Sequence, residues 1–149
     1  MSRSDFAVSY FKRGFNCAQS VVMAFSDLIG MGEGESAKLA SSFGGGLGRM
    51  REVCGAVSGM AIVLGVLYGY DDPKKPGAVA EHYARVQELA DAFRKANGSI
   101  VCRELLGDKS DVTSVPEPRT AEYYKKRPCA ELVGFAAELL DGFIARNPI

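Results

Sequence analysis

Apolar residues in this chain recur at steps of three and four rather than two, a spacing that predicts helices and no strands. The clearest stripe is Val79, Tyr83, Val86, Ala90 and Phe93, one face of a long helix that Gly98 stops. A last helix carries Leu132, Ala136, Leu139, Leu140 and Phe143 on one side. The fixed φ of Pro128 suits its first position, which places Cys129 one residue inside it. An amphipathic stretch from about Ser4 to Arg13 ends at Gly14, and Asn16 is the expected N-cap of a second helix running to about Leu28, with Cys17 in its first turn.

The remaining elements are shorter or more apolar. Gly30, Gly32 and Gly34 break the chain, and Ser36 is expected to cap a short helix ending near Phe43, just before the loop Gly44-Gly45-Gly46-Leu47-Gly48. Val53 to Tyr70 holds no charged residue and approaches the length of the shortest transmembrane spans. Gly55, Ser58, Gly59, Gly65 and Gly69 dilute its hydrophobicity, so it reads as a helix opened by Cys54 and buried on nearly all sides. Asp71 to Gly77 is an exposed turn. Ser99 is expected to cap a helix from Ile100 to about Leu106, with Cys102 at its third position. Gly107 to Pro118 reads as a surface loop, followed by a short helix around Ala121 to Lys126. The expectation is one all-α domain over residues 1–149, a compact bundle of about six to seven helices around the central glycine-rich apolar helix.

Composition narrows the function. The chain has 149 residues, 47% hydrophobic and 24% charged, enough apolar surface for one core. Lys+Arg and Asp+Glu are 18 each, so no basic excess exists to neutralise phosphates, and nucleic-acid binding is not expected. The opening MSRSDFAVSYFKRGF lacks the apolar run of an export signal, which makes a cytoplasmic location the expectation, without membrane insertion. Permanent disulfides are disfavoured there, so the four cysteines read as metal-binding, redox-active or simply buried.

Cys17, Cys54, Cys102 and Cys129 each fall where a helix is predicted to start. Free N–H groups and the partial positive charge of a first turn favour a thiolate, the form that attacks disulfides and binds metals. Cys17-Ala18, Cys54-Gly55 and Cys129-Ala130 each join a cysteine to a small residue, which suits helix ends packed closely around a shared point; Cys102-Arg103 departs from this. The separations are 36, 47 and 26 intervening residues, with no CxxC pair and no zinc-ribbon spacing, so any site must be assembled by the fold. Four converging thiolates suit zinc, an iron–sulfur cluster or two redox disulfides. The alternative is a helical accessory protein whose cysteines are buried and unreactive.

Other candidates are weighed against plainer roles. Arg49 and Arg51 precede Cys54 and either strengthen the field that favours its thiolate or are solvated loop arginines. Gly44, Gly45 and Gly46 are candidate contacts for an anion or a cofactor phosphate. Their loop lacks the Walker and dinucleotide patterns, so a tight turn that lets helices pack is the stronger reading. His82, the only histidine, is either a packed imidazole or a proton shuttle or extra ligand. Tyr10, Tyr68, Tyr83, Tyr123 and Tyr124 read as aromatic packing, and the scattered carboxylates Glu33, Glu35, Glu52 and Glu104 show neither di-iron nor calcium spacing.

Taken together, Asn16-Cys17-Ala18-Gln19-Ser20, Phe43-Gly44-Gly45-Gly46, Cys54-Gly55-Ala56-Val57-Ser58-Gly59, Cys102 and Cys129 resemble the family of redox-active proteins named for their C_GCAxxG_C_C cysteine pattern. The resemblance runs from about Phe15 to Leu140 and departs at none of the four cysteines. It implies a redox role for those cysteines and leaves open thiol chemistry or a metal centre. On this reading the four cysteines cycle between thiol and disulfide in a thiol–disulfide oxidoreductase, with Cys54 as leading nucleophile between its arginines and the space cleared by Gly55 and Gly59. The disulfide form is preferred to a permanent cluster because no supporting histidine or clustered ligand pair is present. An electron carrier with the four cysteines as zinc or iron–sulfur ligands is the alternative. The expected partner is a redox protein or a small thiol or disulfide. Self-association and the choice among three cysteine pairings stay open.

Overall fold

In the computed structural model, which describes residues 1–107 and 110–149, the all-α expectation holds. Among the described residues there are nine α-helices, one 3-10 turn and no strand. The helices are α1 Arg3–Lys12, α2 Cys17–Met23, α3 Ser26–Ile29, α4 Glu33–Ala40, α5 Gly55–Tyr68, α6 Ala78–Asn97, α7 Cys102–Leu106, α8 Ala121–Lys126 and α9 Cys129–Arg146, with the 3-10 turn at Ser41–Phe43. The number exceeds the expected six to seven, and one of the extra helices arises because α2 and α3, expected as one helix, are separate. Arg3 is the cause: its Nη1 donates to the Ala24 carbonyl at 2.8 Å and its guanidinium stacks over the Phe25 ring, so the chain turns where it would otherwise continue.

α5 lies at the centre, against α2, α3, α6 and α9. Its glycines set the closest of these approaches. A Cβ at Gly59 would stand 2.9 Å from Val21 Cβ and 3.0 Å from the Ala18 carbonyl, and one at Gly55 3.1 Å from Cys17 Cβ. Gly134 does the same for α9 against α1, where Ser4 and Val8 would each be met at 3.0 Å. Phe11, Phe25, Met60, Leu64, Phe93 and Leu140 fill the space between helices and are fully buried. Removing each such side chain from water contributes about 1.5–3 kcal/mol.

Several boundaries differ from expectation for local reasons. α4 is capped by extended Gly32 rather than by Ser36, because Glu33 and Glu35 favour the first turn electrostatically; Ser36 is buried inside the helix. The stripe of α6 is rotated: His82, Leu89 and Phe93 are buried while Tyr83 is exposed, since Tyr70 covers His82 edge-on. α5 is buried along its first turns but exposes Val66 near its end. Pro128 is the N-cap of α9 and Cys129 its first residue. The expected loop from Gly107 to Pro118 includes Asp108 and Lys109, which lie outside the described residues. No helix among the described residues is long and apolar enough to cross a membrane.

Candidate thiol site

Each cysteine is placed by its own local device. Cys17 follows Asn16, whose side chain accepts from Gln19 N at 2.8 Å while Gln19 returns a bond to Asn16 N at 3.0 Å, a capping box that starts α2 at the cysteine. The Asn16 amide also donates to the Ser41 carbonyl at 3.1 Å, and only glycine fits beneath it, because a Cβ at Gly44 would meet that amide at 2.3 Å. Cys54 caps α5 and Cys102 begins α7. Their backbones are tied by Cys54 N to the Ile100 carbonyl at 2.7 Å and Cys102 N to the Glu52 carbonyl at 2.6 Å, around an isolated bridge between Val53 and Val101. That bridge holds Val101 extended, so α7 starts at Cys102 and not at Ile100 as expected.

These devices bring Cys17, Cys54, Cys102 and Cys129 to one cavity of about 450 Å³. All four are free thiols, three buried and Cys17 half-buried. Gly44, Gly45 and Gly46 line the same cavity. Their loop winds left-handed: φ is +65° at Gly45, +72° at Gly46, +55° at Gly48, and also +66° at Leu47, +63° at Arg49 and +62° at Arg51. Such a backbone costs a non-glycine residue about 1–2 kcal/mol, and it is held by Gly48 N to the Ser42 carbonyl at 2.8 Å and Glu52 N to the Gly46 carbonyl at 2.9 Å. A Cβ at Gly46 would stand 2.7 Å from Cys102 Cβ, so this glycine makes room for the cysteine.

The same winding separates the two loop arginines. Arg49 reaches outward to Asp111 at 3.2 Å, Thr113 Oγ1 at 3.0 Å, the Val115 carbonyl at 3.0 Å and the Thr113 carbonyl, and so ties down the 111–115 segment. Arg51 turns inward and is only 3% exposed, which removes the solvated reading. Its Nε donates to the Asp111 carbonyl at 2.7 Å and its Nη1 faces Cys102 Sγ at 3.7 Å. Its charge acts on Cys102 and Cys129.

Electrostatics divide the thiols. The neighbouring Cys17 thiol, with the charges of Arg127, Arg119 and Arg51, draws Cys129 down to about 7 against the penalty of burial. Cys17, half-buried in the cavity wall, is held well above the usual thiol range, first of all by the Cys129 sulfur beside it. Burial pushes Cys54 up to about 12, outweighing the nearby Ala56 and Val57 N–H groups of the helix start, with which its side chain makes no capping hydrogen bond. Burial likewise raises Cys102 despite Arg51. The lowered thiol is therefore Cys129, where the sequence favours Cys54.

Arg119 and Arg127 are site residues that sequence reasoning misses. Arg127 is paired with Glu117 and stacks over Tyr123 at 4.9 Å; Arg119 donates to the carbonyls of Phe11 at 2.8 Å and Phe15 at 3.0 Å. A basic residue two positions before a helix-start cysteine is a usable signal for Arg127. None marks Arg119, ten positions away in a loop. Tyr123 lines the cavity, whereas Tyr10, Tyr68, Tyr83 and His82 lie elsewhere. His82 packs on Tyr70 and does not line the cavity.

The metal reading has a geometric test. Among the described residues no group of three or more Cys, His, Asp or Glu side chains is placed to hold a metal ion. The four thiols share a cavity wall without forming a ligand set, so this arrangement gives no support to a zinc or iron–sulfur centre.

A family model described as "Putative redox-active protein (C_GCAxxG_C_C)" matches residues 15–143. No curated protein and no solved structure shows significant similarity to the chain.

Proposed function

Because the chain belongs to the C_GCAxxG_C_C family of redox-active proteins, we propose that its redox chemistry is thiol–disulfide exchange, with Cys129 attacking and Cys17 resolving. The observation that carries this reading is the convergence of four free thiols on one cavity, and Cys129, drawn down to about 7 beside Cys17, is the one among them best suited to attack. A thiolate with pKa near ambient pH combines a useful ionised fraction with good nucleophilicity.

The exchange balances as follows. The Cys129 thiolate attacks one sulfur of a disulfide, forms a mixed disulfide and expels the other half as a thiolate. Cys17 gives up its proton, ultimately to that leaving thiolate, and its sulfur attacks Cys129 Sγ. This forms the Cys17–Cys129 disulfide and releases the second half, which takes a proton from solvent. The substrate disulfide gains two electrons and the protein dithiol loses them. Cys54 and Cys102 serve in this reading as protonated thiols lining the cavity. The partner is a redox protein or a small disulfide, and the reverse reaction oxidises thiols.

Stoichiometric oxidation followed by peptide mapping without reductant tests it. A Cys17–Cys129 linked peptide is expected, with Cys17→Ser trapping the mixed disulfide on Cys129. Linkage of Cys54 to Cys102 alone, or four thiols that stay reduced, overturns the assignment. Anaerobically purified protein with stoichiometric zinc or iron and all thiols protected would favour the carrier alternative instead.

A further inference from the structure

Arg51 is unlike the other arginines around the cavity. It is 3% exposed, and its Nη2 has no hydrogen-bond partner among the described residues. Its other contacts are a neutral carbonyl, from Asp111, and the Cys102 thiol. Arg49 and Arg127, by contrast, face the carboxylates of Asp111 and Glu117, and Arg119, which likewise bonds no carboxylate among the described residues, directs both terminal nitrogens to the carbonyls of Phe11 and Phe15. Four arginines line the cavity, and Glu117 is the one carboxylate among its described lining residues. A buried guanidinium N–H left without an acceptor is costly, and a strained left-handed backbone at Arg51 helps to hold it there.

We propose that the cavity binds a small disulfide bearing a carboxylate, and that the Arg51 guanidinium, which lines it, turns its unpaired Nη2 onto that carboxylate while the sulfurs face Cys129. The proposal rests on the thiol–disulfide reading and names its substrate class. Guanidinium and carboxylate match in shape and charge, and the hydrogen bond is charge-assisted. A cavity of about 450 Å³ falls within the range of small-molecule sites. A folded protein surface does not reach a side chain this buried, which favours a small molecule over a protein disulfide. Cys129 and Arg51 both line the cavity, so a bound carboxylate and the attacking sulfur share one enclosure.

The test uses three probes: 5,5′-dithiobis(2-nitrobenzoate), which carries carboxylates, neutral 2,2′-dithiodipyridine and cationic cystamine. Each rate of Cys129 oxidation is divided by the rate for 2-mercaptoethanol, which removes the intrinsic reactivity of the probe. The full chain is expected to prefer the carboxylate probe over the neutral one by roughly tenfold, the scale of one charge-assisted hydrogen bond. Arg51→Gln should abolish that preference, and Arg51→Lys should lose most of it, because the lysine keeps the charge but not the planar donor. The ratio of carboxylate to neutral probe cancels any change in Cys129 nucleophilicity. In the unmutated protein, the non-reducible dicarboxylate 3,3′-thiodipropionate should slow the carboxylate probe.

Absence of a preference in the unmutated chain, an unchanged ratio in both Arg51 variants, or no slowing by the thioether overturns carboxylate docking. Cys129 oxidation by the neutral probe then still stands for the exchange reading. Failure of every probe to oxidise Cys129 sinks the exchange reading itself, and the docking proposal with it.

Discussion

Replacing Cys17 with alanine removes the thiol that donates toward Cys129 and leaves everything else that acts on Cys129 in place. The fall of Cys129 from 9.0 to about 7 corresponds to about 3 kcal/mol of preference for the thiolate. The hydrogen bond from Cys17 is its largest cause, ahead of the charges of Arg127, Arg119 and Arg51, while burial opposes all of them. A hydrogen bond to a charged group is worth about 1.5–3 kcal/mol, or about one to two pH units. Cys17→Ala is therefore expected to move Cys129 to about 8–9, so that its thiolate fraction at neutral pH falls from about a half to roughly 1–10%. Cys17→Ser keeps an O–H donor and should stay within about one unit of the unmutated protein. The assay is the pH dependence of iodoacetamide alkylation at Cys129, resolved from the other thiols by peptide mass spectrometry. Equal midpoints for the alanine variant and the unmutated chain, or a midpoint near that of a free thiol in the unmutated chain, would refute the pairing.

Two further outcomes follow from the same geometry. Cys54 keeps its proton up to about 12 in the native state, whereas the unfolded chain loses it above 9.0. The native state binds more protons in that window, so stability from this thiol is complete below 9.0 and is lost as pH rises through about 12, by about 1.4 kcal/mol per pH unit. Cys129 runs the opposite way, its contribution being complete above 9.0 and lost as pH falls through about 7. Urea unfolding should therefore show a weaker fold at about pH 11 than at about pH 9.5, a window in which the Cys129 contribution is already complete, with a shallower loss in Cys54→Ala; identical slopes would contradict the burial argument. In α5, Gly59→Ala forces a Cβ to 2.9 Å from Val21 and should cost about 1–3 kcal/mol in thermal unfolding. Gly65→Ala on the same helix meets nothing within 4 Å and should be neutral or stabilising by up to about 1 kcal/mol, and a similar loss in both variants would rule out the close α2–α5 contact as the reason.

Much of the local structure is legible from short-range signals. Asn16 predicts the start of α2, Gly98 the end of α6, and the apolar run after Cys54 the central helix, because caps and periodicity act within one or two turns. Misjudged points depend on distant partners. Arg3 divides the second helix by reaching the Ala24 carbonyl, Tyr70 rotates the buried face of α6 by covering His82, and the Val53–Val101 bridge delays α7.

The chain's own residues determined an all-α fold, four cysteines at or beside helix starts, and the pattern of a family of redox-active proteins. Which thiol ionises is a different kind of question. Every helix start offers its sulfur similar N–H groups and a similar dipole, so position along the chain favours Cys54 as readily as Cys129. Tertiary structure decided between them: it buried Cys54 beyond the reach of any compensating charge strong enough to matter, and it set Cys129 against the Cys17 thiol and near three arginines drawn from a strained loop, a surface segment and the turn before α9. Ionisation depends on the sum of burial and charge within a few ångströms, and only the folded chain defines those neighbours.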